Sequence, residues 1–283
     1  MVSSMEFMFR RLSLFLGLIF LSSSLLYGQS ETLSAEDCGI TALVTCAKMI
    51  GQDQLGIVTS PLRTTPKDLL WIVPFGVAMG LGLDYDAHAM RTLGVDPSRE
   101  NKFKKVSDYG GLYGPAASAA IGYFLGAKTG NSQLRDTGVL AGEAMVDATI
   151  VDQAMKYAID RERPNTGDGT GRFWPHGLKT WPDGGSMPSE HTMNVWAFAH
   201  VVAAQYDGWR TRLAVYSLAT TVSASRVMAR DHFPSDVVVG STFGYLIGGF
   251  VVRHRSPEKR YFSLSTVNTA NGRGLQLSYN FAR

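Results

Sequence analysis

Apolar residues are concentrated in six long runs that are separated by polar and glycine-rich segments. The runs cover residues 69–83, 112–127, 137–159, 192–206, 212–229 and 236–252. Their lengths, and the lack of strict alternation between apolar and polar positions, favour helices over strands. The pattern therefore predicts an all-α helical bundle.

The end of the chain has a different pattern. The stretches YFSLSTV and LQLSYNF alternate apolar and polar residues on either side of NTANGRG, which is typical of a β-hairpin. A single hairpin cannot close a membrane barrel. We therefore expect a hairpin at about residues 261–281 that is appended to the bundle.

The first residues are typical of an export signal. Arg10 and Arg11 precede the apolar run 12–27, which ends near small residues. We expect residues 1–28 to be a cleaved signal peptide, with an uncleaved anchor helix as the alternative. Residues 29–283 would then form a single helical domain that is exported to the periplasm or to the periplasmic face of a membrane.

Small residues within the apolar runs also occur at helix interfaces in membranes. Most runs, however, are shorter than about 18 apolar residues or contain charges such as Glu143, Asp147 and Asp152. We favour a soluble bundle, which is compatible with association at a membrane surface. Residues 237–252 are the strongest candidate for a membrane span.

The balance of charge narrows the class of binding partner. The 283 residues include 27 basic and 24 acidic ones, and this balance argues against nucleic-acid binding.

The spacing of the two cysteines bears on whether they form a disulfide. If the segment from Cys38 to Cys46 is helical, the two cysteines are about 12 Å apart, whereas a disulfide needs less than about 7 Å between Cα atoms. We expect two separate buried thiols, and a disulfide only if Gly39 breaks the helix.

Two segments combine positive charge with a helix end. In KYAIDRERP, Lys156 and Arg163 would share one face of a helix that Pro164 ends, so both cations could clamp an anion. In PSEHT, Ser189 suits an N-cap, and His191 would lie in the first turn, where free N–H groups bind anions and an imidazole could protonate a leaving group. The alternatives are a solvated basic helix end and an ordinary capped helix.

A third segment, SRVMARDHFPSD, supplies another cation, Arg226, and a second histidine. His232 has Asp236 four residues further on, and this carboxylate could fix the imidazole tautomer. His232 therefore suits a nucleophile, and His191, which has no evident carboxylate partner, suits a general acid. The alternative is a surface His–Asp pair. Three cations can neutralise a transferring phosphoryl group, so we expect no metal and no cofactor.

Two weaker signals remain. Asp84, Asp86 and His88 lie at alternate positions and could bind a metal, but we favour a polar helix end. The glycine-rich segment 165–187 is expected to be a substrate-facing lid, in which His176 could contact the substrate.

The ordered motifs resemble a known signature. K-x-x-x-x-x-x-R-P at 156–164, P-S-x-H at 188–191 and S-R-x-x-x-x-x-H-x-x-x-D at 225–236 are similar to the three motifs of the type 2 phosphatidic acid phosphatase and vanadium haloperoxidase superfamily. The resemblance covers residues 156–236 directly, and it implies the helical-bundle core of that superfamily.

The resemblance also implies a role for each matching position. Five residues would bind the substrate phosphate: Lys156, Arg163, Ser189, Glu190 and Arg226. His232 would attack phosphorus to form a phosphohistidine, Asp236 would orient it, and His191 would protonate the leaving group. The superfamily usually has glycine at the position of Glu190, so we expect this carboxylate to turn away from the phosphate or to bind another group.

These observations predict a metal-independent phosphatase that acts on a phosphorylated small molecule or a lipid phosphate. A vanadate-dependent haloperoxidase on the same scaffold and a non-catalytic anion- or lipid-binding protein are the alternatives.

Overall fold

The computed structural model describes residues 35–39, 42–166, 168–175, 177, 185–255, 262–269 and 272–279. The predicted signal peptide at 1–28 lies outside these residues, as do His176 and much of the predicted lid. The signal, the lid and the single domain 29–283 remain predictions.

Eight α-helices and one β-hairpin form the described part of the chain. They are α1 (Leu43–Thr59), α2 (Leu69–Leu93), α3 (Pro97–Asp108), α4 (Gly114–Thr129), α5 (Ser132–Ile159), α6 (Glu190–Gln205), α7 (Trp209–Met228), α8 (Pro234–Arg255), β1 (Phe262–Thr269) and β2 (Gly272–Tyr279). A π-helical turn, Tyr109–Tyr113, joins α3 to α4. The strands are antiparallel, with Phe262 opposite Tyr279 and Thr269 opposite Gly272. The predicted all-α bundle with a C-terminal hairpin is confirmed.

Helix α6 is the centre of the bundle. It packs against α5, α7 and α8. Met193 and Ala197 contact the core between α5 and α8, whereas Val195 and Ala199 contact α7. Apolar residues therefore surround α6 on several sides, as expected for a helix that is buried rather than amphipathic. This position places the PSEH segment, at the start of α6, in the middle of one end of the bundle.

Close packing of α6 on α8 depends on a glycine. A Cβ atom at Gly244 would overlap the carbonyl oxygen of Met193 and approach the Trp196 Cβ to 2.9 Å. Without a side chain at this position, the two backbones can approach each other closely. This approach brings the third motif, at the start of α8, next to the second motif, at the start of α6.

The prediction of two free thiols is wrong. Cys38 and Cys46 form a disulfide, with their Cα atoms 5.0 Å apart. The predicted 12 Å separation assumed a continuous helix, but α1 begins only at Leu43. Cys38 lies in the non-helical segment before it, so the chain can fold back onto the first turn of α1.

The first motif also differs from its predicted geometry. Helix α5 ends at Ile159, and Asp160 follows in the left-handed conformation with φ of 42°. Arg163 therefore lies beyond the helix rather than on the same helical face as Lys156. Pro164 lies in the turn that follows the helix, so it does not end the helix as predicted.

Two helices of the described part are long and apolar enough to cross a membrane, α2 and α8. In the most apolar window of α8, 56% of residues are buried, which is typical of a core helix. In the corresponding window of α2 only 6% are buried. Residues 237–252, within α8, were the predicted candidate for a membrane span, but of these two helices α2 is the one with the more exposed apolar surface.

Candidate active site

The three motifs meet at the N-terminal end of α6. The Ser189 N–H donates to the Asp236 carbonyl at 3.2 Å, which joins the second motif to the third. The Lys156 Nζ donates to the Glu190 carboxylate at 3.3 Å, which joins the first motif to the second. The structure thus brings together segments that are 34 or more residues apart in sequence.

His232 is buried and held by a main-chain group. Its Nδ1 atom lies 2.6 Å from the Ser186 carbonyl oxygen. Because a carbonyl can only accept, Nδ1 must carry the proton, and the Nε2 lone pair is left for another partner. Burial first, and then the charges of Arg226 and Arg163, lower the pKa of His232 well below 6.5. The imidazole is therefore neutral and suited to nucleophilic attack through Nε2.

Asp236 does not bind His232 in the predicted way. Its carboxylate is 3.9 Å from Nδ1, too far for a hydrogen bond. Instead it accepts from the Ser186 hydroxyl at 2.5 Å, the Phe233 N–H at 2.8 Å and Arg161 at 2.6 Å. Asp236 therefore fixes Ser186, and Ser186 fixes the imidazole.

His191 lies in the first turn of α6 and has a carboxylate partner that was not predicted. Its Nε2 is 3.3 Å from the Asp108 Oδ1 atom, at the end of α3. Burial, followed by the Arg226 and Lys156 charges, nevertheless lowers the pKa of His191 to about 3. The side chain is 22% exposed, so it can meet a solvent-borne ligand. Gly111 makes room for it, since a Cβ there would be 2.8 Å from the His191 Cβ.

Arg226 and Arg163 are linked through Asp231. Arg226 Nη2 pairs with the Asp231 carboxylate at 3.0 Å, and Arg163 Nη1 donates to the Asp231 carbonyl at 3.4 Å. Arg226 Nη1 also donates to the Ser107 hydroxyl at 2.8 Å, while Nε has no hydrogen-bond partner among the described residues. The same three predicted cations, Lys156 included, lower the pKa values of both histidines, which indicates that their fields converge on one site.

Glu190 binds the lysine of the first motif. It accepts from the Lys156 Nζ at 3.3 Å and from the Gln153 Nε2 at 3.2 Å, and Lys156 also pairs with Asp152 at 2.7 Å. As expected, Glu190 binds another group, and this group is the Lys156 ammonium. Two carboxylates compete with any anion for the charge of Lys156.

Ser189 occupies the predicted N-cap position of α6, but its hydroxyl has a different partner. The hydroxyl donates to Thr192 Oγ1 at 3.0 Å, and the side chain makes no capping hydrogen bond. Ser189 is fully buried. The prediction of a serine-capped helix is thus correct in position and wrong in the bond that it makes.

Arg161 is an organising residue that the sequence analysis missed. It is 2% exposed and pairs with Asp86 at 2.7 Å and with Asp236 at 2.6 Å. It thereby ties α2 and the segment after α5 to the start of α8. Asp86 is consequently an ion-pair partner inside the protein. Asp84, Asp86 and His88 do not form a group that could hold a metal within the described residues.

Comparison with known proteins agrees with the three motifs. The model of the PAP2 superfamily matches residues 137–260, which contain all three motifs. This match over residues 137–260 confirms the predicted resemblance to the superfamily.

Individual relatives are more distant. The chain is 32% identical over 106 residues to lipid A 1-phosphatases of Rhizobium etli and Rhizobium johnstonii, a match that covers 35% of this chain and 42% and 40% of those proteins. It thus spans less than half the length of these relatives. A solved structure, a transmembrane PAP2 type phosphatidylglycerolphosphate phosphatase from Bacillus subtilis, covers 67% of this chain and 98% of its own, with 19% identity and a TM-score of 0.48.

Proposed function

We propose that this protein is a phosphatase that hydrolyses phosphate monoesters carried on lipids, through a phosphohistidine formed on His232. The observation that carries the proposal is the His232 tautomer. Its Nδ1 faces the Ser186 carbonyl at 2.6 Å, so Nε2 has the lone pair that attack on phosphorus requires.

In the first step, the His232 Nε2 attacks phosphorus while the bond from phosphorus to the ester oxygen breaks. His191 gives its proton to the departing oxygen, and the lipid alcohol leaves. The cations Lys156, Arg163 and Arg226 stabilise the charge on the remaining phosphoryl oxygens. In the second step, water attacks the phosphohistidine and returns a proton to His191, which releases inorganic phosphate and neutral His232.

Binding of the substrate would favour protonation of His191. A phosphate group between the cations and His191 would offset the positive charges that contribute to the low pKa of this imidazole. Asp108, 3.3 Å from Nε2, would further favour the protonated form. His191 would therefore become a general acid only in the substrate complex.

The lipid substrate is supported by two independent observations. The curated relatives are lipid A 1-phosphatases, that is, enzymes named for a phosphate on a lipid. Large apolar side chains are exposed along α2, among them Leu70 at 80% and Leu81 at 70%, and exposed apolar patches of this kind are typical of membrane contact. The proposed reaction uses only side chains of this chain and needs neither metal nor cofactor.

An exported location, in the periplasm or at the periplasmic face of a membrane, belongs to the same proposal. The Cys38–Cys46 disulfide fits an oxidising compartment. It agrees with the predicted signal peptide, although that segment is outside the described residues.

Phosphate release and trapping of the intermediate test this proposal. The full chain in detergent micelles should release phosphate from lipid monoesters, and the His232→Ala variant should be at least about a thousandfold slower. Acid-labile, alkali-stable ³²P should remain on the native chain after rapid quenching, but not on the variant. Unchanged turnover by His232→Ala would overturn the proposal.

A further inference from the structure

A second polar cluster lies in the interior, among residues that the proposed reaction does not use. Asp53 on α1 and Glu143 and Asp147 on α5 each offer a carboxylate oxygen, and these atoms lie within 4.8 Å of one another. The residues are 2%, 7% and 0% exposed. Three acidic groups at such distances repel one another strongly unless something positive lies among them.

Arg255, in the last turn of α8, supplies part of the positive charge. Its Nη2 pairs with Asp53 Oδ1 at 2.8 Å and its Nε pairs with Glu143 Oε1 at 3.1 Å. Asp147 Oδ1 accepts from the Gln54 amide at 2.8 Å, which is neutral. One guanidinium therefore faces three carboxylates.

The second oxygen of each carboxylate is buried and accepts from no donor group. This holds for Asp53 Oδ2, Glu143 Oε2 and Asp147 Oδ2 among the described residues, while the Asp53 carboxyl lies within hydrogen-bonding reach of the other two, so that a proton or a cation must lie between them. A buried oxygen without a partner is costly, and three of them in one place are rare in native proteins. Three clustered carboxylates with such oxygens point to a positively charged occupant.

We propose that Asp53, Glu143 and Asp147 bind one calcium ion that joins α1 to α5. All three donors are oxygens, which hard divalent cations prefer, and Ca²⁺ tolerates irregular carboxylate geometry better than Mg²⁺ does. One divalent ion together with Arg255 balances the charge of three carboxylates.

The ion would have a structural role. None of the three proposed calcium ligands is among the residues proposed to bind or attack the phosphate. Its binding energy would hold α1, which has few other contacts, against α5 and α8.

The direct test uses the full chain after treatment with EDTA. Equilibrium dialysis with ⁴⁵Ca²⁺ should give one ion per chain, and Ca²⁺ at about a hundredfold excess over Kd should raise Tm by about 5 °C or more at constant ionic strength. No bound calcium and no shift in Tm would overturn the proposal, and a larger shift with Mg²⁺ than with Ca²⁺ would overturn the choice of ion.

A pair of variants assigns the effect to the cluster. Asp147→Asn keeps the acceptor for Gln54 and leaves the Arg255 pairs intact, but it removes one ligand charge, so the calcium-dependent shift should be lost. Its new amide can donate to a neighbouring carboxylate, so in EDTA its Tm should equal or exceed that of the native chain. Asp152→Asn, at an equally buried position on the same helix, is the control and should retain the shift. A shift that persists in Asp147→Asn would place the ion elsewhere and refute the assignment.

Discussion

At the scale of single residues, the environment of Glu190 distinguishes this site. A carboxylate that accepts from Lys156 at 3.3 Å occupies a position where the superfamily usually has glycine. It reduces the charge that Lys156 can offer to a phosphate, because both groups are only partly exposed to solvent and their attraction is weakly screened. In the proposed reaction, Glu190 would therefore tune phosphate affinity without touching His232.

Substitution of Glu190 should tighten phosphate binding. We expect Glu190→Gln to lower KM for a soluble phosphate ester roughly threefold to tenfold, about 1 kcal/mol, because Lys156 keeps Asp152 but loses one competitor. Glu162→Gln makes the same change in charge at a residue that pairs with the exposed Arg172, and it should leave KM unchanged. Steady-state kinetics of both variants measure KM for the soluble ester. A higher KM in Glu190→Gln than in the native protein would contradict the expected effect.

His191 should also affect how stability depends on pH. Its pKa is about 3 in the folded protein and near 6.5 when unfolded, so between these values the unfolded chain binds more protons. Stability therefore falls as pH decreases from about 6.5 towards 3.

We expect His191→Gln to lose less stability than the native protein between pH 7 and pH 4.5. Thermal unfolding at both pH values measures the difference, and the same substitution at the exposed His88 is the control. An equal loss in native and His191→Gln proteins would show that this histidine does not carry the effect.

At the scale of helices, the contact between α6 and α8 holds the second and third motifs together. Gly244→Ala would force the two backbones apart, since the added methyl group overlaps the Met193 carbonyl. We expect a loss of about 1–3 kcal/mol in the free energy of unfolding, together with lower turnover.

Gly51→Ala on α1 is the matched control for this substitution. A Cβ there meets nothing within 4 Å, so we expect a gain of about 0.5–1 kcal/mol and no change in turnover. Denaturant unfolding of both variants measures the contrast. Equal stability changes of the same sign would show that the close approach of α6 and α8 is not required.

The helices were predictable from sequence to different extents. Long apolar runs indicated α2, α4, α5, α6, α7 and α8, because buried helices keep apolar residues on several faces. Helix α3 (Pro97–Asp108) was missed, since its sequence is mostly polar, although Asp96 accepts from Ser98 and Arg99 as an N-cap. The disulfide was missed because it depends on where α1 begins, and helix boundaries are the weakest part of a sequence prediction.

The site was predictable where its residues belong to local motifs. Lys156, His191 and His232 stand in short segments with recognisable spacing. Asp108, Arg161 and the Ser186 carbonyl act through contacts that exist only in the folded chain, such as the pair between Asp108 and a histidine on another helix. The role of the Ser186 carbonyl, in addition, cannot be inferred from the residue type, because every residue has a main-chain carbonyl.

At the scale of the whole molecule, the exposure of α2 stands out among the described helices, since only 6% of its most apolar window is buried. Its first four turns contain no buried residue, while Asp86 and Met90 near its end contact the protein. Leu70, Val77 and Leu81 are at least 59% exposed. Such a surface is suited to contact with lipid acyl chains.

Charged residues on α2 should weaken membrane binding. We expect the double variant Leu70→Glu, Leu81→Glu to float poorly with phosphatidylglycerol vesicles, because burying a carboxylate among acyl chains is unfavourable. Its turnover of a soluble ester should be unchanged. Val95→Glu, at a 74% exposed position outside α2, is the control. Flotation of the double variant at the native level would refute lipid contact through this helix.

Material synthesised in a reducing host cytosol would lack the Cys38–Cys46 bond. The first turn of α1 would then depend on packing alone, although Leu43 and Val44 are at least 70% exposed and contribute little. Proteases should cut such preparations near residue 39, and reagents that alkylate thiols should label them twice. Secretion-directed expression is therefore the appropriate source of protein for crystallisation and for kinetic work.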